Sequence, residues 1–258
     1  MRTVAATRYV TPLREGGSLP AIVEADDDGM YVLKFRGAGQ GPKALIAELV
    51  AGEIARACAL PVPEIVFIEV DPDLARTEPD SEIQALIRAS AGLNLALDFL
   101  PGSVTFDPVV MQPPAELASR IVWLDAFVSN VDRTARNTNM LVWHRQLRLI
   151  DHGAALYVHH HWGAPLAQAI DPFARIADHV LLPFADALRE ADAFMGAMLP
   201  PDVIVGIAGA IPDGWLLADA TFTDAASHRK TYVDYLLRRL ESPRAFLEEA
   251  VRAHAASV

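Results

Sequence analysis

The stretch Asn130-Val-Asp132-Arg-Thr-Ala-Arg-Asn137-Thr-Asn139, followed by Leu149-Ile-Asp151-His-Gly153, is the most informative part of this chain. Between the two segments, Met140-Leu-Val-Trp143 and Leu147-Arg-Leu-Ile150 flank a polar turn at His144-Arg-Gln146, a pattern typical of a β-hairpin. Antiparallel pairing of these strands would bring Asn137 and Asp151 side by side, since each lies just outside one end of a strand.

Asp132, Asn137 and Asp151 support two interpretations. Two hard oxygen ligands beside a carboxylate base are what Mg²⁺-dependent phosphoryl transfer requires. Asp and Asn are also common in turns, where they bond their own backbone, so an isolated Asp-x4-Asn is more often structural. An apolar strand that ends in Asp-x-Gly after a short hairpin is a rarer continuation, and it favours the metal site.

The composition excludes several classes of protein. With 258 residues, of which 52% are hydrophobic, the chain can form one large domain or two modest lobes. A formal net charge of −11 argues against nucleic acid as a partner. The single cysteine, Cys58, cannot form an intramolecular disulfide. Because neither a signal sequence nor a membrane-spanning apolar run is evident, we expect a soluble, cytoplasmic protein with no membrane partner.

The predicted elements change character along the chain. Strands dominate the first hundred residues, and helices interrupted by prolines dominate the sequence after residue 114. We therefore expect an α+β fold with an N-terminal lobe over residues 1–100 and a mostly helical C-terminal lobe over residues 101–258.

Lys34 is one of only three lysines, in a chain with nineteen arginines. Alternation in Met30-Tyr-Val-Leu-Lys-Phe35 predicts a strand with Lys34 on the face opposite the aromatic residues. Pro42 opens a helix in which Glu48 is predicted on the packed side and Glu53 on the surface. Because a buried carboxylate needs a partner, Glu48 is a candidate partner for Lys34; the alternative is an ordinary exposed helix residue.

A strand lysine, a helix glutamate, a hinge at Leu100-Pro-Gly-Ser103, Asp-x4-Asn and Asp-x-Gly follow one another in that order. This order resembles the protein-kinase-like fold. The loop Asp132-Arg-Thr-Ala-Arg-Asn137 and the helix ending Leu60-Pro-Val-Pro63 resemble those of HipA-like kinases in particular. The resemblance covers about residues 8–155, and its specificity comes from the order and spacing of short motifs.

The resemblance implies a role for each matching position. Lys34 would contact the α and β phosphates of ATP, and Glu48 would orient Lys34. Asp132 would be the general base for the acceptor hydroxyl, and Asn137 and Asp151 would hold Mg²⁺. ATP and Mg²⁺ are therefore the expected cofactors.

The resemblance also implies a nucleotide pocket. Backbone groups of Asp98, Phe99 and Leu100 would take the adenine, and Gly16, Gly17 and Ser18 would cover the phosphates. The two adjacent glycines depart from the Gly-x-Gly-x-x-Gly spacing of eukaryotic kinases, and His152 stands where phenylalanine is usual.

The implied acceptor is a hydroxyl, most readily a Ser or Thr of a protein. Two alternatives remain open: a small-molecule kinase acting on an aminoglycoside-like or metabolite hydroxyl, and a non-catalytic nucleotide-binding module. The run His159-His-His161 next to Trp162 could line a substrate cleft. A metal site there is disfavoured, since adjacent residues of an extended segment point to opposite faces.

Overall fold

The N-terminal part of the protein folds around five strands. The computed structural model describes residues 1–13 and 19–257, so Gly16, Gly17 and Ser18 lie outside the described residues. The strands close into a barrel in the order β1-β2-β3-β5-β4, in which β1 and β4 pair in parallel and the other neighbours are antiparallel. Their bounds are β1 Thr3–Pro12, β2 Ala21–Ala25, β3 Met30–Lys34, β4 Ile65–Val70 and β5 Gly92–Asp98.

Alternation along β3 places Lys34 as the sequence predicts. Tyr31 and Leu33 are buried and belong to the apolar cluster inside the barrel, together with Val23 and Ile68. Lys34 is on the opposite face and is directed out of the barrel. The barrel therefore holds the lysine at its outer wall.

A second, small sheet carries the predicted hairpin. Its strands are β6 Val104–Thr105, β7 Met140–Trp143 and β8 Gln146–Leu149, with Met140 paired to Leu149. The two-residue connection at His144 and Arg145 has φ values of 49° and 63°, the left-handed turn conformation that matches strand twist.

The remaining regular elements of the described chain are helices. The helices are α1 Pro42–Ala57, α2 Ser81–Ala89, α3 Ala115–Phe127, α4 Pro165–Gln168, α5 Leu188–Met198, α6 Pro201–Gly209, α7 Asp213–Leu216, α8 Ala225–Leu240 and α9 Ala245–Ala255. Short 3-10 helices at Tyr157–His160 and Ala174–Asp178 lie between them. Within the described ranges, no one helix has the length and apolarity of a membrane span; only α5 and α6 taken together do, and they bend by 69° at their junction.

Helix α1 is enclosed rather than amphipathic. Every residue from Leu45 to Ala55 is buried, because the helix packs on β4 and β5 and also on α3, α6 and α7. The prediction that Glu53 lies on the surface is therefore wrong: Glu53 is 8% exposed and accepts a hydrogen bond from Arg56. Packing by distant segments left this helix without a solvated face.

The end of α3 is held by a buried arginine from α8. Arg239 donates to the carbonyls of Phe127 at 2.7 Å and Ala126 at 2.8 Å, and also to those of Ala169 and Asp171. Cations are favoured at a helix C-terminus, where the last carbonyls lack intrahelical partners. This contact fixes the point from which the chain enters the Asn130–Asn139 loop.

Candidate active site

Lys34 is at the centre of the polar cluster that the fold assembles. Its Nζ lies 3.0 Å from Glu48 Oε2 and 2.6 Å from Asp151 Oδ1. The contact between Lys34 and Glu48 is the one predicted from the sequence, and Glu48 is on the packed side of α1, as predicted. Three elements, β3, α1 and the segment after β8, therefore meet at one ammonium group.

Burial and charge oppose each other at this ion pair. Burial alone would lower the pKa of Lys34, but the carboxylates of Glu48 and Asp151 outweigh it and raise that pKa above its usual range. Burial alone would raise the pKa of Glu48, yet Lys34 and then His152 hold it well below its usual range. Both groups are therefore charged at neutral pH.

His152 gives Glu48 a second neighbour. Its Nδ1 lies 3.3 Å from Glu48 Oε1, and the imidazole is fully buried. This is the position at which the sequence departs from the usual phenylalanine. The polar ring of His152 therefore contacts one carboxylate oxygen of Glu48, and Lys34 contacts the other.

The Asp132 loop is organised by asparagine amides. Asn137 Nδ2 donates to Asp132 Oδ2 at 2.9 Å, and Asn139 Nδ2 donates to the Asp132 carbonyl at 2.9 Å. The Asp132 N–H in turn donates to Asn130 Oδ1 at 3.2 Å. Because Asn137 uses its amide nitrogen on Asp132, its amide oxygen is left to face a ligand.

The hairpin brings this loop to Asp151. The Ile150 N–H donates to the carbonyl of Asn139 at 3.1 Å, extending the β7–β8 pairing by one step. Asp151 has φ 55°, in the left-handed region that Asp tolerates better than most residues. Asn137 and Asp151 line the same cleft.

A buried polar network lies behind the loop. Arg133 Nε donates to Asp125 Oδ2 at 2.5 Å, and both side chains are fully buried. His179 Nε2 lies 2.9 Å from the same oxygen, and Asn130 Nδ2 donates to the other at 2.9 Å. Arg133 also donates to the carbonyl of Asn139. The Arg133 guanidinium thus connects Asp125, near the end of α3, to Asn139, which in turn contacts Asp132.

His179 is neutral in this network. Burial lowers the pKa of His179, and the partners of its two nitrogens fit the neutral ring. The N–H of Leu181 donates to Nδ1 at 3.0 Å, so the proton is on Nε2 and is donated to Asp125. Burial alone would raise the pKa of Asp125, but Arg133 and His179 hold it well below its usual range.

Two clefts meet at Lys34 and Asp151, which line both of them. The larger, of about 1170 Å³, is lined by both apolar side chains and polar groups that include Asn137. The smaller, of about 400 Å³, contains Asp132 and Glu48. Residues lining the larger cleft include Val32, Leu97, Asp98, Phe99, Leu100, Met140 and Ile150.

The predicted adenine contacts lie in the larger cleft, with fewer free donors than expected. The backbone N–H of Asp98 donates to the carbonyl of Glu64 at 2.8 Å, and the backbone N–H of Phe99 donates to the carbonyl of Met30 at 3.0 Å. Leu100 accepts a hydrogen bond from the N–H of Ser103 at 3.2 Å. Within the described chain, the N–H of Leu100 is the one of these three donors that remains free for a ligand.

The histidine run divides between core and cleft. His159 is fully buried, with Nδ1 3.1 Å from the Tyr232 hydroxyl, whereas His160 is exposed and lines the smaller cleft. Burial lowers the pKa of His159 well below its usual value. Across residues 1–13 and 19–257, no three His, Cys, Asp or Glu side chains are grouped so that they could hold a metal ion.

Sequence reasoning did not assign Asp125, His179 or Lys43 to the site. Lys43 Nζ lies 2.6 Å from the His159 carbonyl and 2.9 Å from Asp219, and so ties α1 to the segment that borders the smaller cleft. The scarcity of lysine was a usable signal, since two of the three lysines are at this site. Asp125 and His179 carry no comparable signal.

Comparisons with known proteins give a family and two solved structures of similar fold. A family model described as HipA-like kinase matches residues 7–249. The crystal structure of a Helicobacter pylori proinflammatory kinase, CtkA, is 12% identical, with 95% of this chain and 97% of that chain covered and a TM-score of 0.57. The crystal structure of the Golgi casein kinase with Mn/ADP bound is 11% identical, with 96% of this chain and 74% of that chain covered and a TM-score of 0.53. At these identities the likeness concerns the fold alone. A comparison with curated protein sequences finds no significant match.

Proposed function

The chain belongs to the HipA-like kinase family, as its motifs predict, and from that premise we propose that it is an ATP- and Mg²⁺-dependent phosphotransferase. The acceptor is a hydroxyl, most readily that of a Ser or Thr in a protein. The observation that carries the proposal is the double contact of Lys34 with Glu48 and Asp151, beside Asp132 and Asn137. This arrangement supports roles for Lys34 as a phosphate-binding cation, Asp132 as a base, and Asn137 and Asp151 as metal ligands.

The donor set at this point fits a hard divalent cation. Asp151 uses one carboxylate oxygen on Lys34, and Asn137 uses its amide nitrogen on Asp132, so each keeps an oxygen for a metal. Asn137 and Asp151 would hold Mg²⁺, which when bound neutralises charge on the phosphates. The Golgi casein kinase structure with Mn and ADP supports the use of a nucleotide and a divalent metal by this fold.

The larger cleft suits the nucleotide. Its volume of about 1170 Å³ and its apolar walls at Val32, Leu97 and Ile150 fit a purine base near the strand end at Asp98. Lys34, which lines both clefts, would then meet the phosphates. The roles of Asp98, Phe99 and Leu100 at the base, and of Gly16, Gly17 and Ser18 at the phosphates, are part of this proposal.

Transfer would proceed in line between the two clefts. The acceptor oxygen forms a bond to the γ-phosphorus while the bond from that phosphorus to the ADP oxygen breaks. The acceptor proton passes to the carboxylate of Asp132, whose Oδ2 accepts hydrogen bonds from the amides of Asn137 and Asn139. Lys34, paired on two sides, would orient the phosphates and would not move during the step.

The two-lobe arrangement, with residues 1–100 and 101–258 on opposite sides of the cleft, belongs to the same proposal. Two separate apolar clusters support it, one inside the barrel and one among the helices. Helix α1 packs into the helical cluster, so it would link the lobes. A cytoplasmic location is likewise retained as a proposal.

Thermal unfolding with ATP, with and without Mg²⁺, tests the nucleotide site. Ligand at about a hundred times its dissociation constant stabilises by roughly 2.7 kcal/mol. For a chain of this length we expect a rise in Tm on the order of 5–10 °C that requires Mg²⁺. The absence of any rise at saturating ATP would reject the proposal.

Two substitutions separate binding from transfer. Asp132→Asn should lower phosphoryl transfer by roughly a hundredfold or more while the ATP-dependent rise in Tm remains. Asp151→Asn should remove the Mg²⁺ requirement of that rise. Asp202→Asn, on the exposed side of α6, is the matched control and should change neither measurement. Unchanged transfer by Asp132→Asn would exclude Asp132 as the base.

A further inference from the structure

The two clefts differ in whether Asp132, the proposed general base, lines them. Among the described residues, Asp132 lines only the smaller cleft, whereas Lys34 and Asp151 line both. A nucleotide in the larger cleft would therefore present its γ-phosphoryl group toward the smaller one. Building on the proposed function, we propose that the smaller cleft receives a Ser or Thr side chain from a peptide segment rich in Arg and Lys.

The size and exposure of this cleft suit a side chain whose backbone stays outside. Its volume of about 400 Å³ is at the lower end of the range for ligand pockets. Its lining includes residues of the segment from Phe35 to Gln40 and of the 3-10 helix Tyr157–His160. Gln40 and His160 are exposed and Tyr157 is 61% exposed, so the rim is open to a partner chain.

The charge of the cleft favours a cationic partner. Its lining includes three carboxylates, those of Glu48, Asp132 and Asp151. Within the described chain, Lys34 is the only Lys or Arg that lines it. Lys34 is already paired with two of those carboxylates, and among the described residues Asp132 forms no ion pair with a basic side chain. Partial desolvation of the ring at the cleft and then the charge of Lys43 lower the pKa of His160, which disfavours a positive charge there. The whole chain, at −11, adds to the same field.

The rim of the smaller cleft is also held in place by contacts within the protein. Lys43 ties α1 to the His159 carbonyl and to Asp219, which fixes the 3-10 helix that carries Tyr157. The rings of Tyr157 and His160 lie 5.4 Å apart, edge to face. An exposed, fixed tyrosine face is a favourable contact for an arginine guanidinium. Tyr157 is therefore the residue we expect to select arginine beside the acceptor.

Short synthetic peptides test the proposal: one with a central Ser flanked by Arg, a twin with Glu in place of Arg, and a twin with Ala in place of Ser. We expect phosphorylation of the Arg peptide at its Ser, with kcat/KM at least about tenfold above the Glu twin, which corresponds to about 1.4 kcal/mol. The preference should shrink as salt is added, since the charges are partly exposed. Equal rates for the two Ser peptides would overturn the proposal.

Substitutions test whether Tyr157 in the smaller cleft recognises the peptide. Tyr157→Ala should raise KM for the Arg peptide roughly fivefold and leave KM for ATP unchanged, whereas Tyr157→Phe should retain the wild-type KM. Val32→Ala, in the larger cleft, is the matched control and should raise KM for ATP instead. Tyr157→Ala acting on KM for ATP, or on neither constant, would overturn the assignment.

The failure of this inference can be told apart from failure of the proposed function. Mg²⁺-dependent ATP binding without transfer to any peptide, or transfer to a small polyhydroxy amine in place of a peptide, would overturn the peptide acceptor and leave the kinase proposal standing. Loss of Mg²⁺-dependent ATP binding itself would reject the kinase proposal.

Discussion

At the scale of single residues, the chain uses lysine and arginine for different tasks. The three lysines include Lys34 and Lys43, which both make contacts at the site, while buried arginines such as Arg133 and Arg239 bind several acceptors at once. A compact ammonium suits the enclosed position of Lys34 between two carboxylates, whereas a planar guanidinium suits dispersed carbonyls.

Replacing Lys34 by arginine should therefore not be conservative. Lys34→Arg keeps the charge but places a larger, planar group where 12% of the side chain is exposed. We expect the affinity for Mg²⁺-ATP to fall roughly tenfold or more, measured by calorimetric titration. Lys230→Arg, in an exposed pair with Asp234, is the control and should bind like the wild type. Equal affinities for the two variants would exclude a phosphate role for Lys34.

Arg133 offers a second residue-scale prediction. Arg133→Met leaves Asp125 buried with only His179 and Asn130 as partners, so we expect a loss of about 3–5 kcal/mol in the free energy of unfolding, measured with urea. Arg189→Met, which breaks an exposed pair with Glu248, should cost less than about 1 kcal/mol. Arg133→Met/Asp125→Leu should recover part of the loss, because no unpaired carboxylate remains. Similar losses for Arg133→Met and Arg189→Met would contradict this account.

The difference between these residues explains what the sequence could predict. Lys34 and Glu48 were predictable because local patterns, alternation in a strand and spacing in a helix, fix which way they face. Asp125 and His179 were not, because they are 54 positions apart and each looks ordinary within its own segment. Only the completed fold brings them to Arg133.

At the scale of secondary-structure elements, prediction succeeded where the signal is local. The hairpin of β7 and β8 was found from two apolar runs and a polar turn, and its strand bounds agree within a residue or two. The error on Glu53 arose in α1, whose burial comes from β4, α3, α6 and α7 and not from its own sequence pattern.

Close packing of α1 leads to a prediction at Gly52. A Cβ at this position would overlap Ile65 Cδ1 of β4. Overpacking costs about 1–3 kcal/mol, which exceeds the gain of about 1 kcal/mol for replacing a helical glycine by alanine. Gly52→Ala should therefore lower the free energy of unfolding in urea.

Gly206 in α6 is the matched control for Gly52. A Cβ there meets no atom within 4 Å, so Gly206→Ala should raise the free energy of unfolding by about 1 kcal/mol. Stabilisation of similar size by both substitutions would show that α1 can move away from β4 without loss.

At the scale of the whole molecule, stability should depend on pH through groups buried in fixed charge states. Burial lowers the pKa of His159 and His179 below the usual 6.5, so both are neutral in the folded protein. Glu48 and Asp125 are held charged, with pKa values below their usual 4.5 and 3.8. In all four cases the unfolded chain binds protons that the folded protein does not, so stability falls as pH falls.

The fall should occur in two stages, because the two kinds of group titrate separately in the unfolded chain. Between pH 7.5 and 5.5 we expect a loss of about 1–3 kcal/mol from the histidines, and a further loss below about pH 4.5 from the carboxylates. Urea unfolding at a series of pH values measures both. His159→Asn/His179→Gln should reduce the first stage, to which His160 and His228 also contribute because their pKa values are lowered, and should leave the second. His144→Asn, at an exposed turn, should change neither. A constant free energy of unfolding between pH 7.5 and 5.5 would mean that the buried histidines find solvent or a proton acceptor in the folded protein.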